Sequence, residues 1–272
     1  MDARQGRRED GILAQLPTAV LGLLLVLLAV LLAVVGVTLV HNRIPVELRQ
    51  SHTVPLGLIN AGLTAMFSVI VGFSAFLVLS EYSDAQQTVQ SEAGNLEEIY
   101  RLSQPLPEPK QAQVQGLAAS YARAVAGEEW PLMRQVKTSP RADALAEELR
   151  GSIQEGYRTT TGTEQEIFGK ELDVMDELDE DREARLVAMR QRLPSMLWTA
   201  LVVLAIAIIG LSYLVGMESH RIHMLSVGAL AVGITLVLFT VGILDRPFGT
   251  DFGIGPQPFE LVLDEIGGTR GR

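Results

Sequence analysis

The sequence predicts an all-α integral membrane protein in which two hairpins of spanning helices flank an acidic helical segment. Three observations carry that expectation. Four stretches, 17–40, 56–80, 194–216 and 222–244, are apolar and almost free of charge, and each is long enough to cross ~30 Å of hydrocarbon at ~1.5 Å per residue. The net charge of −10 falls mostly in 81–193, where 22 acidic residues face 13 basic ones. Between the hairpins the apolar residues recur at helical spacing, and no alternating strand pattern is visible.

The first stretch follows Arg7 and Arg8 in the manner of a leader. It is longer than a leader's apolar region and no small-residue cleavage pattern follows, so it is expected to be a retained helix. The expected organisation is a tail at 1–16, a first hairpin at 17–80, a helical region at 81–193, a second hairpin at 194–244 and a tail at 245–272. Arginines decide the orientation. Arg4, Arg7, Arg8, Arg182, Arg185, Arg190, Arg192 and Arg246 stand near the membrane on one side, against Arg43, Arg49 and Arg221 on the other. The N-terminus, middle segment and C-terminus are therefore expected in the cytoplasm, with the chain in an inner membrane.

The second spanning stretch has no stop signal at its end. Tyr82, Ala85, Val89, Leu96 and Ile99 continue the helical period, so one helix is expected from Leu56 to about Leu102, ended by Pro105, Pro107 and Pro109. A second helix is expected from near Pro109 to about Gly127, carrying Val114, Leu117, Tyr121 and Val125. A third has Ser139 as N-cap, Pro140 in its first turn and Leu145, Leu149, Ile153 and Tyr157 as its buried stripe. After a loop at 159–163, Ile167, Phe168, Leu172, Met175, Leu178, Leu186 and Met189 mark a fourth. These helices suggest a bundle on the cytoplasmic side.

Function classes narrow by exclusion. With no cysteine, disulfides and thiolate chemistry are ruled out. No P-loop, G-x-S-x-G, H-E-x-x-H or dinucleotide fingerprint occurs, which makes an enzyme the weaker hypothesis and leaves no cofactor to expect. The acidic surface argues against nucleic acid. Spanning stretches without carboxylates lack the relay of a proton-coupled pump.

The second spanning helix is the candidate path. Ala65, Val69, Phe73 and Leu77 form a four-residue stripe, among Gly62, Thr64, Ser68, Gly72 and Ser74. In a symmetric oligomer the stripe would make apolar rings, a constriction that gates by dewetting, and Phe73 would turn its positive ring edge to an anion. Close helix packing is the commoner use of such small residues. The acidic run at 171–183 lacks the spacing and glycine of a calcium loop and reads as the solvated face of a helix.

His41, His52, His220 and His223 all fall at the non-cytoplasmic ends of the spanning stretches. They would bind metal or sense pH if the hairpins adjoin, but interfacial polar residues are the usual explanation, and no metal site is expected. Asp245, Arg246, Pro247, Phe248 and Gly249 end the last spanning helix: Pro247 stops it, Arg246 suits its dipole, and Asp245 is placed to pair with Arg246. Trp130, with Tyr121 and Leu132 nearby, is a docking candidate if exposed and a cap on the bundle if buried.

Four pieces of sequence taken together resemble the bacterial bestrophin-like domain family. They are GFSAFLVLSEYSDAQQTVQSEAGNLEEIYRL, the tract Glu128-Glu129-Trp130-Pro131, the pair Leu197-Trp198 after Pro194, and LDRPFGTDFGIGPQPFE. The wider resemblance is to bestrophins, homopentameric chloride channels with two membrane hairpins around a cytoplasmic helical region. It implies a homo-oligomer, five copies by this resemblance alone, with the second helix lining an anion pore and Ala65, Val69 and Phe73 at its neck, Phe73 following Gly72. Ala65 and Val69 are smaller than the residues usual there. Pro247-Phe248-Gly249 resembles the start of the calcium clasp of animal bestrophins. Only Asp251 remains of the acids that follow in that clasp, so calcium gating is not implied. The alternative is a non-conducting membrane scaffold or sensor whose helical region binds a partner.

Overall fold

The computed structural model describes residues 17–217 and 219–269, so the arginines of the 1–16 tail lie outside the described residues. The described chain is helical, with no strand among those residues. It divides into two compact units, Met1–Leu79 with Arg192–Asp245, and Ser80–Gln191 with Arg246–Arg272.

In unit 1, helix α1 (Thr18–Arg43) starts after Pro17 and stops where Ile44, held extended ahead of Pro45, leaves the helical region. His41 and Arg43 in its last turn suit the negative end of the helix dipole. A short helix, α2 (Val46–Ser51), fills the connection between the first two spanning stretches. Helix α3 (Thr53–Leu102) then runs for 50 residues without interruption from unit 1 into unit 2. Its apolar half and its amphipathic half share one backbone because no proline or glycine pair falls between them. Helix α8 (Ser195–Leu214) follows Pro194. Helix α9 (His220–Leu244) is capped by Ser219, whose hydroxyl accepts from the Ile222 N–H. Thr18–Arg43, Thr53–Leu102, Ser195–Leu214 and His220–Leu244 are each long and apolar enough to cross a membrane.

Two cores hold unit 1. Ala33 and Val37 of α1 meet Val227 and Ala231 of α9. Phe67, Val71 and Val78 of α3 pack with Leu201, Ala205 and Ile208 of α8 and with Ile234 and Val241 of α9. Small residues permit this contact: a Cβ on Gly22 would lie 2.6 Å from the Phe239 ring, and one on Gly36 would strike Tyr213.

Unit 2 contains the second half of α3, α4 (Lys110–Ala124), a π-helical turn at Val125–Glu129, α5 (Trp130–Met133), α6 (Pro140–Thr159), α7 (Thr163–Ala188) and α10 (Gln257–Thr269). Ser139 caps α6 as expected, its hydroxyl accepting from the Ala142 N–H at 3.3 Å. The buried stripe of α6 is Ala142, Ala146, Leu149, Ile153 and Gly156, one step round from the expected set. Leu145 is only half-buried and Tyr157 is exposed. The cause is Phe168 of α7, which lies against Gly156 and leaves no room for a larger side chain on that face.

Candidate functional site

The face of α3 opposite the unit 1 core presents the expected stripe unevenly. Val69 is 72% and Phe73 57% exposed, and Ala65 is exposed with them. Leu77 leaves that face and packs, half-buried, against the core of Phe67, Val71 and Val78. Of the small polar residues, Thr64 is half-buried and Ser68 is exposed, and both hydroxyls bond back to the helix. The Thr64 hydroxyl donates to Asn60 C=O at 2.8 Å, that of Ser68 donates to Thr64 C=O at 2.8 Å, and Ser74 is fully buried. The uncovered face is uncharged and mostly hydrocarbon, with Ser68 among the apolar residues and Gly72 open beside Phe73.

Unit 2 contains a buried polar constellation. Most acids of the run at 171–183 face outward as expected, but α7 turns Glu171, Arg182 and Arg185 inward, in register with Phe168, Met175 and Leu178. Arg185 is fully buried and grips Glu92 of α3 through Nε to Oε2 at 2.5 Å and Nη2 to Oε1 at 3.0 Å. Its Nη2 also donates to Glu129 Oε2 at 2.9 Å. Arg182 forks onto Glu129 at 2.9 Å on both oxygens, donates to Asp143 at 2.6 Å, and reaches the Tyr121 oxygen at 3.0 Å. Tyr121 in turn donates to Glu92 Oε1 at 2.5 Å.

Glu92, Glu129, Arg182 and Arg185 cancel in charge, which is what lets four ionised groups share a low-dielectric interior. Burial alone would raise the Glu129 carboxyl, but the charges and hydrogen bonds of Arg185 and Arg182 outweigh it and hold that carboxyl below its ordinary range. Burial and the Glu92 charge push the Tyr121 phenol well above its own. Glu129 reaches both arginines from the end of the π-helical turn, whose extra residue advances its side chain toward α7.

Aromatic rings close this network. The Arg185 guanidinium lies 5.5 Å from the Trp130 ring centre and 6.0 Å from that of Phe259, while Arg182 lies 5.5 Å from Tyr121. Trp130 is 5% exposed and its indole donates to Ile254 C=O at 3.1 Å, so it is a core residue and not a docking patch. Phe248 meets it edge-on at 5.8 Å.

Pro247, Phe248 and Gly249 form the turn that delivers the strap behind them. The Pro247 carbonyl accepts from the Ile254 N–H at 2.7 Å, and Gly253 stands where any Cβ would strike that carbonyl. Asp251 is exposed and 3.5 Å from Arg134. Asp245, in unit 1, does not serve the expected pair with Arg246. Its carboxylate accepts from the Leu193 N–H at 2.6 Å and the Trp198 indole at 3.2 Å, tying the start of α8 to the end of α9.

Of the four histidines, the His41 and His220 rings lie 4.5 Å apart, and buried His223 bonds Ser212 C=O at 2.9 Å. His52 is exposed. A signal for the buried network was present in the sequence. Arg182 and Arg185 continue the heptad-like series Phe168, Glu171, Met175, Leu178, and charges at apolar positions are buried ones seeking partners.

Known structures with this fold agree with the geometry. A bacterial bestrophin homolog from Klebsiella pneumoniae superposes with a TM-score of 0.72 at 12% identity, over 90% of this chain and 98% of that one. A variant of the same homolog gives 0.73 at 12%, over 91% and 99%. A structure described as a membrane protein gives 0.72 at 11%, over 91% and 99%. Among curated proteins none matches this sequence. At these identities the structures establish the fold, and the family rests on the sequence: the Bestrophin-like domain model matches residues 27–259, and the chain belongs to that family of membrane proteins.

Proposed function

We propose that the chain forms a homo-oligomeric membrane channel for small anions such as chloride, lined by copies of α3. One observation carries this reading. The α3 face bearing Ala65, Val69 and Phe73 is mostly apolar, uncharged and uncovered by its own chain, while Phe67, Val71, Ser74 and Val78 on the other face take up the unit 1 core. A spanning helix with one face spent on its own bundle and the other bare suits a ring of identical copies. Around an axis, Val69 and Phe73 would give two apolar constrictions one turn apart, with ring edges in place of charges to favour an anion. Five copies is the ring that the resemblance to bestrophins implies. The arginine distribution supports an inner-membrane orientation with unit 2 and both chain ends in the cytoplasm.

Chloride efflux from liposomes carrying the purified protein tests the reading. Flux above protein-free vesicles that changes on Phe73→Ala is expected, and vesicles that stay tight for both proteins would overturn it. The mass of the detergent-solubilised particle, measured by light scattering, reports the copy number independently. The alternative, a non-conducting scaffold or sensor whose helical region binds a partner, would need a docking surface other than Trp130, which is buried.

A further inference from the structure

Three groups able to carry positive charge meet at the end of unit 1 where the two short connections lie. His41 stands in the last turn of α1, Arg49 on α2 and His220 at the start of α9. Arg49 is 3% exposed and its backbone is held in place. The Thr53 hydroxyl donates to Arg49 C=O at 3.0 Å and accepts from the Gly216 N–H at 3.0 Å. Any Cβ on Gly216 would lie 2.5 Å from the Gln50 nitrogen, so α2 and the α8–α9 connection are in direct backbone contact.

The contact between Arg49 and His41 sets the protonation state of the histidine. Arg49 Nη2 lies 3.1 Å from His41 Nδ1. A guanidinium stays charged and offers donors alone, so Nδ1 is the acceptor and His41 is the neutral imidazole. The His220 ring lies 4.5 Å from that of His41, tilted by 40°. Its Nδ1 is buried without a hydrogen-bond partner, which a neutral ring tolerates better than an imidazolium with N–H on both nitrogens.

Among the described residues no carboxylate forms an ion pair with His41, Arg49 or His220. The other charged and titratable groups on the surrounding elements, Arg43, Glu47, His52 and Arg221, are exposed, and Glu218 lies outside the described residues. His41 is itself exposed, so protons reach it. A proton on Nδ1 takes up the lone pair that Arg49 uses and sets two cations side by side, where each disfavours the other.

We propose that His41 and Arg49 form an acid-operated latch. With His41 neutral, the bond holds the last turn of α1 to α2, and the ring contact holds it to the start of α9. Protonation of His41 ends the bond and turns its side chain away from Arg49, which frees the end of α1 from both. The unlatched form binds the proton and the latched form does not, so acid favours the unlatched form. Latching is therefore complete above about pH 6.5, where a histidine free of the bond titrates, and is lost as pH falls below it. The latch stands whether or not the chain conducts.

The chain has no cysteine, so nitroxide labels on Asn42→Cys and Arg221→Cys, both at exposed positions, report the distance between the end of α1 and the start of α9 without interference. Pulsed electron resonance on the full chain in maltoside detergent is expected to give a narrow distance distribution at about pH 8 and a longer or broader one at about pH 5. His41→Asn keeps an acceptor in the place of Nδ1 and cannot titrate, so it should hold the narrow distribution at both pH values. His41→Lys should give the acid distribution at both, and Glu218→Gln should leave the response intact. No change in the parent between the two pH values, a response that survives His41→Asn or is lost with Glu218→Gln, or a narrow distribution in His41→Lys would each overturn the proposal. His41→Asn decides the matter even if His41→Lys fails to fold.

Discussion

Arg185 and Glu92, 93 positions apart, meet in a two-pronged bond in which neither side chain has any exposed surface. That bond fastens α7 to the lower half of α3, and Glu129 and Tyr121 extend it to α4 and the π-helical turn.

Breaking this bond from one side should cost more than replacing it whole. Arg185→Met leaves Glu92 and Glu129 short of a partner and is expected to destabilise unit 2 by about 3–5 kcal/mol. Adding Glu92→Met should recover part of the loss, since the remaining charges again balance. Heat denaturation followed by tryptophan fluorescence measures both variants. Trp130 reports on unit 2 and Trp198 on unit 1.

Glu171 should make stability fall as pH rises. It is fully buried with neither oxygen bonded, and burial pushes its carboxyl up to about 8. Well below pH 4.5 both states hold the proton. From there to about 8 the unfolded chain releases it while the folded chain keeps it, so the folded state loses ground across that window and levels off above it. Glu171→Met should flatten the slope and raise stability at pH 7 by about 2–3 kcal/mol. Urea or thermal titrations between pH 4 and 9 would show it, and equal slopes for the two proteins would contradict it.

Asp245 should act as an acceptor and not as a partner of Arg246. Asp245→Ala leaves the Leu193 N–H and the Trp198 indole without a partner and is expected to cost about 1–3 kcal/mol for each group left buried. Arg246→Ala, at an exposed position, should change stability by less than about 0.5 kcal/mol. Melting temperatures of the two variants in one detergent distinguish the two roles.

Trp130→Ala should behave as a core deletion. The indole packs on Phe248 and Phe259 and bonds Ile254, so its loss is expected to cost about 3–5 kcal/mol and to loosen the strap that ends in α10. Trp130→Phe keeps most of the packing and should cost less. Limited proteolysis between Arg246 and Gln257 reads the loosening directly.

The sequence alone determined the four spanning helices and the unbroken course of α3, because length without charge and an uninterrupted helical period are local properties that few other structures satisfy. It determined the Ser139 cap on the same local ground. The family was legible too, from pieces scattered over the chain in order. It did not determine which face of α6 is buried, since Gly156 gains its position only when Phe168 arrives from α7. Nor did it determine the partners of Arg182 and Arg185. A charge at an apolar register position announces burial, but Glu92 and Glu129 are chosen by three-dimensional proximity, with a π-helical turn that has no sequence signature setting the reach of one of them. Arg49 falls in the same class. Counted only as an orienting charge in the sequence, it became a buried cation once α2 folded against the connection at Gly216, because desolvation is a property of what surrounds a side chain and not of the side chain itself.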